Sequence, residues 1–145
     1  MTLNAVNAGL DEKLFDYLQK SIKETAFYNL LGLELQLLAP GYAEFRVIST
    51  SQHTNSIGLI HGGLIISVVD ATMGNAIRSL GMKGATVDIS TSLMSTARLG
   101  DTIVARGKVL KAGKNLIFTE GQVYVGDILV ADCKATFYKI SDQNN

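Results

Sequence analysis

The chain has 145 residues, of which 47% are hydrophobic and 18% are charged. This length fits one domain with a substantial core, and so apolar a composition excludes intrinsic disorder and favours an oligomer that buries some of its surface. Thirteen basic and thirteen acidic residues cancel, so the charge balance does not indicate binding to duplex nucleic acid or to an anionic membrane.

The sequence shows no pattern of secretion, membrane insertion or metal clustering. Cys133 is the only cysteine, so an intrachain disulfide is impossible and a reducing compartment is expected. The N-terminus has no basic stretch followed by an apolar one, as a signal peptide would have. Asp70, Asn75 and Arg78 interrupt the longest apolar run before it reaches the length of a membrane span. We therefore expect a cytoplasmic protein with no metal and no cofactor.

No repeat or linker divides the chain, so we expect one domain over residues 1–145, with a helical segment at 1–32 and a core at 33–140. The first predicted element is an amphipathic helix from Asp11 to Leu31, which Asp11 caps and Gly32 ends. The stretches "LELQLL" and "YAEFRVIST" then alternate in hydrophobicity on either side of a "PG" turn. This pattern predicts a β-hairpin.

The next element is a helix from Gly62 to Leu80, whose apolar residues occupy nearly every side of a helical wheel. Such a distribution indicates a helix that is buried all round. Four strands follow it, joined by short glycine-containing turns: "TVDISTSLMSTA", "TIVARGKVLKA", "NLIFTEGQVYV" and "ILVADCKATFYKI". The pattern predicts an antiparallel meander. The expected fold class is α+β, with a curved antiparallel sheet around one long central helix and an additional N-terminal helix.

Asp70 lies in the middle of the predicted buried helix. A carboxylate in apolar surroundings is costly unless it is paired, hydrogen-bonded or used in chemistry. One interpretation is a structural ion pair, for instance with Arg78 or with a lysine from another strand. The other is a general base or nucleophile in a pocket that excludes bulk water.

The same helix begins with "HGG", His61 to Gly63. Its first turn offers free N–H groups and a partial positive charge, and glycine lets a ligand approach the backbone, so this turn is suited to holding an oxyanion. Alone, the turn could equally be a plain helix start. Gly62 and Asp70 are eight residues apart, about 12 Å along a helix and on faces about 80° apart. If both are catalytic, the site therefore pairs Gly62 of one subunit with Asp70 of another.

The pattern N-x5-HGG-x6-D resembles the hotdog-fold acyl-CoA thioesterases of the phenylacetate-degradation (PaaI-like) type. The resemblance extends over residues 33–140 and includes the "VDIS" strand entry and the "LGD" turn. It implies the hotdog fold, thioester hydrolysis, an acyl-CoA substrate and no metal. It also implies self-association as a homodimer, expected to form a dimer of dimers. The residues that carry the pattern are Asn55, His61, Gly62, Gly63 and Asp70.

The resemblance also implies a role for each residue. Gly62 would donate its backbone N–H to the thioester oxygen, and His61 would hold that turn. Asn55 would orient the attacking water or the thioester. Asp70 would be the carboxylate base or nucleophile. Thr86 stands where the family often has a serine or threonine that positions water.

Substrate binding is less well defined by the sequence. The candidate residues are Gly63 beside the oxyanion turn and Lys111, Gly113 and Lys114 in a basic turn, which could meet coenzyme A phosphates or be only a solvated hairpin tip. The chain departs from the family at Ser56, where a proline is usual, and at "MSTA" (residues 94–97), where "RPA" is common. The second departure leaves the coenzyme A path open.

Two other functions stay open. Hydratases and dehydratases of acyl thioesters share the hotdog fold, but they mostly use a catalytic histidine, and this chain has only His53 and His61. A non-catalytic acyl-CoA binding protein would use the same groove. The acyl group, aromatic or medium-chain, is not specified. Candidate pocket residues, which could equally belong to the core, are Leu59, Ile60, Met73 and Leu93.

Overall fold

The computed structural model describes residues 4–142. In that part of the chain, three α-helices accompany seven strands that form one sheet. The helices are α1 (Glu12–Glu24), α2 (Ala26–Leu31) and α3 (Gly62–Arg78). The strands are β1 (Val6–Asn7), β2 (Glu34–Ala39), β3 (Tyr42–Ile48), β4 (Met82–Leu93), β5 (Thr102–Ala112), β6 (Leu116–Val125) and β7 (Ile128–Asp142). The outermost residues of the predicted domain, 1–3 and 143–145, lie outside the described residues.

The strand order is β1-β2-β3-β5-β6-β7-β4, and every neighbouring pair is antiparallel except β1 with β2. The inner face of the sheet packs closely on α3 because two of its strands carry glycine there. A Cβ added to Gly107 would lie 3.0 Å from the backbone nitrogen of Met73, and one added to Gly121 would lie 2.6 Å from Val69 Cγ2. The predicted fold class, a curved sheet around one central buried helix, is confirmed.

The predicted N-terminal helix is confirmed at both ends but is wrong in being continuous. The Asp11 side chain accepts a hydrogen bond from the Leu14 N–H, and Gly32 ends α2 in the left-handed conformation with φ of 76°. Between α1 and α2, Thr25 is extended, with ψ of 113°, and its hydroxyl donates to the Ser21 carbonyl oxygen. The threonine hydroxyl therefore replaces a backbone donor at this point, and the helix divides into two.

The β2–β3 hairpin is confirmed, with Pro40 and Gly41 at its turn. The predicted four-strand meander is wrong for its first strand. β5, β6 and β7 are consecutive neighbours, but β4 pairs with β7 at the sheet edge, and β5 pairs with β3 instead. The reason is that α3 crosses the inner face of the sheet and delivers the chain to the far edge. Along residues 4–142, no helix is both long and apolar enough to cross a membrane.

Candidate active site

The start of α3 leaves one backbone donor free. His61 is the N-cap residue, and its Nδ1 accepts a hydrogen bond of 2.7 Å from the Gly63 N–H. The His61 N–H itself donates to the His53 carbonyl oxygen at 2.8 Å. No hydrogen bond in the described part of the chain uses the Gly62 N–H. Gly62 therefore presents a free donor at the positive end of the helix dipole.

The loop before α3 is folded around Asn55. The Asn55 side-chain oxygen accepts hydrogen bonds of 3.0 Å from the backbone N–H groups of Ile57 and Leu59. The backbone N–H of Asn55 donates to the Leu59 carbonyl oxygen at 2.7 Å. This is an Asx-type turn, in which the amide oxygen is fully used. The Asn55 Nδ2 has no partner within residues 4–142, so it remains available as a donor.

Asp70 is hydrogen-bonded to a hydroxyl group rather than paired with a cation. Thr86, on β4, donates from its Oγ1 to Asp70 Oδ1 at 2.7 Å. Arg78 interacts elsewhere, with Ser21 Oγ at 2.9 Å and Asn75 Oδ1 at 3.4 Å. None of the ion pairs within residues 4–142 includes Asp70. The structural ion pair considered for Asp70 is thus absent from the described part, and the carboxylate is only partly buried in the single chain.

The structure brings the predicted residues together in two groups. The first group lies at the N-terminus of α3 and in the loop before it, and contains Asn55 and His61 to Gly63. The second group is Asp70, in the middle of α3, with Thr86 beside it on β4. The eight residue steps of helix from Gly62 to Asp70 correspond to about 12 Å. A thioester carbonyl needs its catalytic groups within roughly 3 Å of the reacting atoms. One chain therefore does not bring both groups to the same carbonyl.

The basic turn forms the tip of the β5–β6 hairpin. The Gly113 N–H donates to the Leu116 carbonyl oxygen at 2.8 Å. Lys111 and Lys114 are exposed, and no ion pair in the described part includes them.

The strand pairing locates this turn relative to Thr86. Leu116 pairs with Tyr138 of β7, and Tyr138 pairs with Ala85 of β4, the residue before Thr86. The turn thus lies level with Thr86, two strand spacings or about 10 Å from β4.

A cleft beside Gly62 contains residues that the sequence reasoning had not placed in the site. It has a volume of about 340 Å³ and is lined by Ile60, Gly62, Ile65 and residues 93–97. Of the candidate pocket residues, Ile60 and Leu93 line it. Met73 belongs to the core, the alternative that the sequence had left open for it, because it is fully buried and its sulfur accepts a hydrogen bond from Thr119. The "MSTA" departure from the family pattern was the available signal for this cleft.

Two side chains of chemically reactive types, those of His53 and Cys133, make structural contacts. The Nδ1 of His53 accepts a hydrogen bond of 3.0 Å from the Thr50 N–H and so caps a short 3₁₀ helix. Cys133 is 1% exposed and accepts a hydrogen bond from Thr91. Burial raises the pKa of the Cys133 thiol, which keeps it in its unreactive neutral form. Residues 4–142 contain no group of three or more His, Cys, Asp or Glu side chains arranged to hold a metal ion.

Comparison with known proteins gives concordant matches. Residues 57–132 match the family described as "Thioesterase superfamily". Human acyl-coenzyme A thioesterase 13 is 36% identical over 113 residues, which cover 76% of this chain and 81% of the relative. The crystal structure of thioesterase superfamily member 2 from Mus musculus has a TM-score of 0.78 at 29% identity and covers 85% of this chain and 95% of its own. The PaaI protein of the Escherichia coli phenylacetic acid degradation operon has the same fold, with a TM-score of 0.85 at 21% identity and coverage of 92% and 98%.

Proposed function

This chain belongs to the thioesterase superfamily and is a thioester hydrolase, and from that premise we propose that it hydrolyses acyl-CoA thioesters to the free acid and coenzyme A. The name of the human relative supports this substrate class. Water is the only co-reactant that the reaction needs, so the proposal includes no cofactor beyond the coenzyme A of the substrate.

The observation that carries the proposal is the pair of polar groups on α3 that still have unused hydrogen-bonding capacity. The free N–H of Gly62 is suited to donate a hydrogen bond to the thioester oxygen and so to stabilise the negative charge that develops on it. The Asp70 carboxylate, held at one oxygen by Thr86, has its other oxygen available to assist the attack on the carbonyl carbon. A new C–O bond then forms, the C–S bond breaks, and coenzyme A leaves as the thiol with the proton taken from water.

We further propose that two copies of the chain form each site. β4 is a sheet edge of twelve residues, and within the described chain it pairs only with β7. Its span includes just two charged residues, Lys83 and Asp88. A long and little-charged edge is a ready template for pairing with another strand. Pairing of β4 with the β4 of a second copy would bring the partner's α3 towards Asp70, because Thr86 lies on β4 beside Asp70. A dimer of dimers is the larger assembly that we propose.

The test measures thiol release from a panel of aryl- and alkyl-CoA thioesters. We expect turnover by the wild type and a loss of about 100-fold or more in Asp70→Asn and Asp70→Ala, because both remove the assisting carboxylate. The matched control is Asp132→Asn, which changes an exposed carboxylate that accepts a hydrogen bond from Gln122 on the sheet surface. Burial of Cys133, the only thiol of the chain, keeps the background low.

Near-normal turnover in both Asp70 variants would contradict the proposed role of the carboxylate. Two further outcomes would favour the other functions of hotdog proteins. Loss of an enoyl chromophore without thiol release would indicate a hydratase. Binding of acyl-CoA with no thiol release across the whole panel would indicate a binding protein.

A further inference from the structure

Leu93 lies directly against the free donor of the proposed site. A Cβ added to Gly62 would stand 2.8 Å from Leu93 Cδ1, closer than a real Cβ contact. Leu93 is the last residue of β4, and its side chain is 48% exposed. The leucine methyl therefore occupies the space beside the Gly62 backbone, in the same cleft in which a thioester would reach the Gly62 N–H.

The backbone on both sides of this cleft is fixed by hydrogen bonds. The N–H groups of Met94 and Ser95 both donate to the Val130 carbonyl oxygen, at 2.8 and 3.2 Å. On the other side, the Ile60 N–H donates to the Ala97 carbonyl oxygen at 3.1 Å. Because the walls are held in this way, the width of the cleft depends on side chains, and Leu93 is the one that meets Gly62.

The lining favours the acyl half of the substrate. Five of its side chains are apolar, those of Ile60, Ile65, Leu93, Met94 and Ala97. The coenzyme A arm contains amide groups, which lose their hydrogen bonds to water when they are placed against such a wall. An acyl chain has no such hydrogen bonds to lose, and the burial of its apolar surface is favourable.

The position of the carbonyl then defines what Leu93 contacts. A thioester oxygen that accepts a hydrogen bond from the Gly62 N–H lies about 2.9 Å from that nitrogen. The carbon next to the carbonyl is about 2.4 Å from the same oxygen. A substituent on that carbon would therefore compete with the Leu93 side chain for the same space.

We propose that Leu93 is a specificity-determining residue that admits acyl groups unbranched next to the carbonyl and excludes those branched there. This inference rests on the proposed hydrolysis of acyl-CoA. It specifies the substrate class as thioesters with a CH₂ group beside the carbonyl, whether the remainder of the acyl group is alkyl or aryl.

The experiment compares pairs of isomeric substrates, in which one isomer is branched at the carbon next to the carbonyl and the other is not. The alkyl pair is hexanoyl-CoA and 2-methylpentanoyl-CoA, and the aryl pair is 3-phenylpropanoyl-CoA and 2-phenylpropanoyl-CoA. For each pair, the ratio of kcat/KM for the branched isomer to that for the straight one is measured. We expect Leu93→Ala to raise this ratio by about tenfold, since a few methyl or methylene groups in an apolar pocket are worth at least that factor. Leu93→Val should give a smaller rise in the same direction.

The matched control is Leu110→Ala, because Leu110 is also 48% exposed and lies in a strand of the same sheet but away from Gly62. In Leu110→Ala, the ratio of kcat/KM for the branched isomer to that for the straight one should equal the wild-type ratio. An unchanged ratio in Leu93→Ala, or equal losses for both isomers, would overturn the role of Leu93 while leaving the hydrolase proposal intact. Absence of thiol release by the wild type from every acyl-CoA would instead overturn both.

Discussion

Thr86 is the only side chain within residues 4–142 that hydrogen-bonds to Asp70. The bond occupies Oδ1, so it fixes the direction of the carboxylate and leaves Oδ2 free to meet water or the thioester. A hydrogen bond to a charged group contributes more than one between neutral groups. We therefore treat Thr86 as a residue that orients the carboxylate, in addition to the role in positioning water that the family resemblance implies.

Removal of the Thr86 hydroxyl should lower turnover without preventing folding. We expect Thr86→Val, which keeps the shape of the side chain, to reduce kcat by about tenfold or more through loss of a charge-assisted hydrogen bond. Thr86→Ser keeps the hydroxyl and should retain most of kcat. Steady-state kinetics with thiol detection measures both variants.

The control for the hydroxyl is Thr91→Val on the same strand, where the hydroxyl donates to the buried sulfur of Cys133 rather than to Asp70. It should leave kcat close to that of the wild type. An equal kcat for Thr86→Val and the wild type would show that the hydroxyl does not assist Asp70.

Single residues with an unusual chemical setting were the easiest candidates to identify from the sequence. Asp70 stood out as a carboxylate in an apolar run, and "HGG" stood out as a helix start with exposed backbone. For Met73 the sequence left pocket and core both open, because apolar residues occupy nearly every side of α3. Periodicity then identifies no face of the helix as the one that meets a ligand.

At the level of elements, the contact between α3 and the sheet depends on glycine. Gly107 lies on β5 where the backbone of α3 passes closest, and an added Cβ would stand 3.0 Å from the Met73 nitrogen and 3.1 Å from its Cα. A backbone atom cannot rotate away as a side chain can. Any side chain at this position must therefore push the central helix from the sheet.

Gly107→Ala and Gly74→Ala should change stability in opposite directions. We expect Gly107→Ala to lower the free energy of unfolding by about 1–3 kcal/mol through overpacking. Gly74 lies inside α3, and its added Cβ would meet only Phe137, at an ordinary 3.6 Å. Gly74→Ala should raise the same free energy by up to about 1 kcal/mol, because alanine is the better helix former.

Urea unfolding followed by circular dichroism measures both free energies. Equal stability of the two glycine variants would contradict the close approach of β5 to α3. Each glycine variant is the control for the other, because both substitutions add one methyl group to the same protein.

The sequence pattern identified most elements but could not assign their neighbours. The alternation of "TVDISTSL" indicates a strand, and β4 confirms it. Its partner, however, is a strand that begins 35 residues after the end of β4, at Ile128, and no local property encodes that pairing. The break at Thr25 was missed for a related reason. Helical spacing continues through this residue, and only its side-chain hydrogen bond to Ser21 marks the division.

At the scale of the whole molecule, the proposed site shared between two copies would make activity depend on assembly. The Gly62 donor and the Asp70 carboxylate belong to one helix, about 12 Å apart, while the exposed edge of β4 runs past Thr86. In a two-fold dimer each site would take Asn55 and Gly62 from one copy and Asp70 from the other. Two inactive variants should then complement each other.

Mixed dimers of Asn55→Ala and Asp70→Asn test this arrangement. In a heterodimer, one site combines both changes and the other combines neither, so the second site is intact. Random mixing makes half of the dimers mixed, each with one working site of two, and the expected activity is about a quarter of the wild-type value. Each variant alone should stay inactive, and separately purified homodimers assayed before they exchange subunits provide the control. If every site were built from a single chain, the mixture would show no more activity than its components, and the shared site would have to be abandoned.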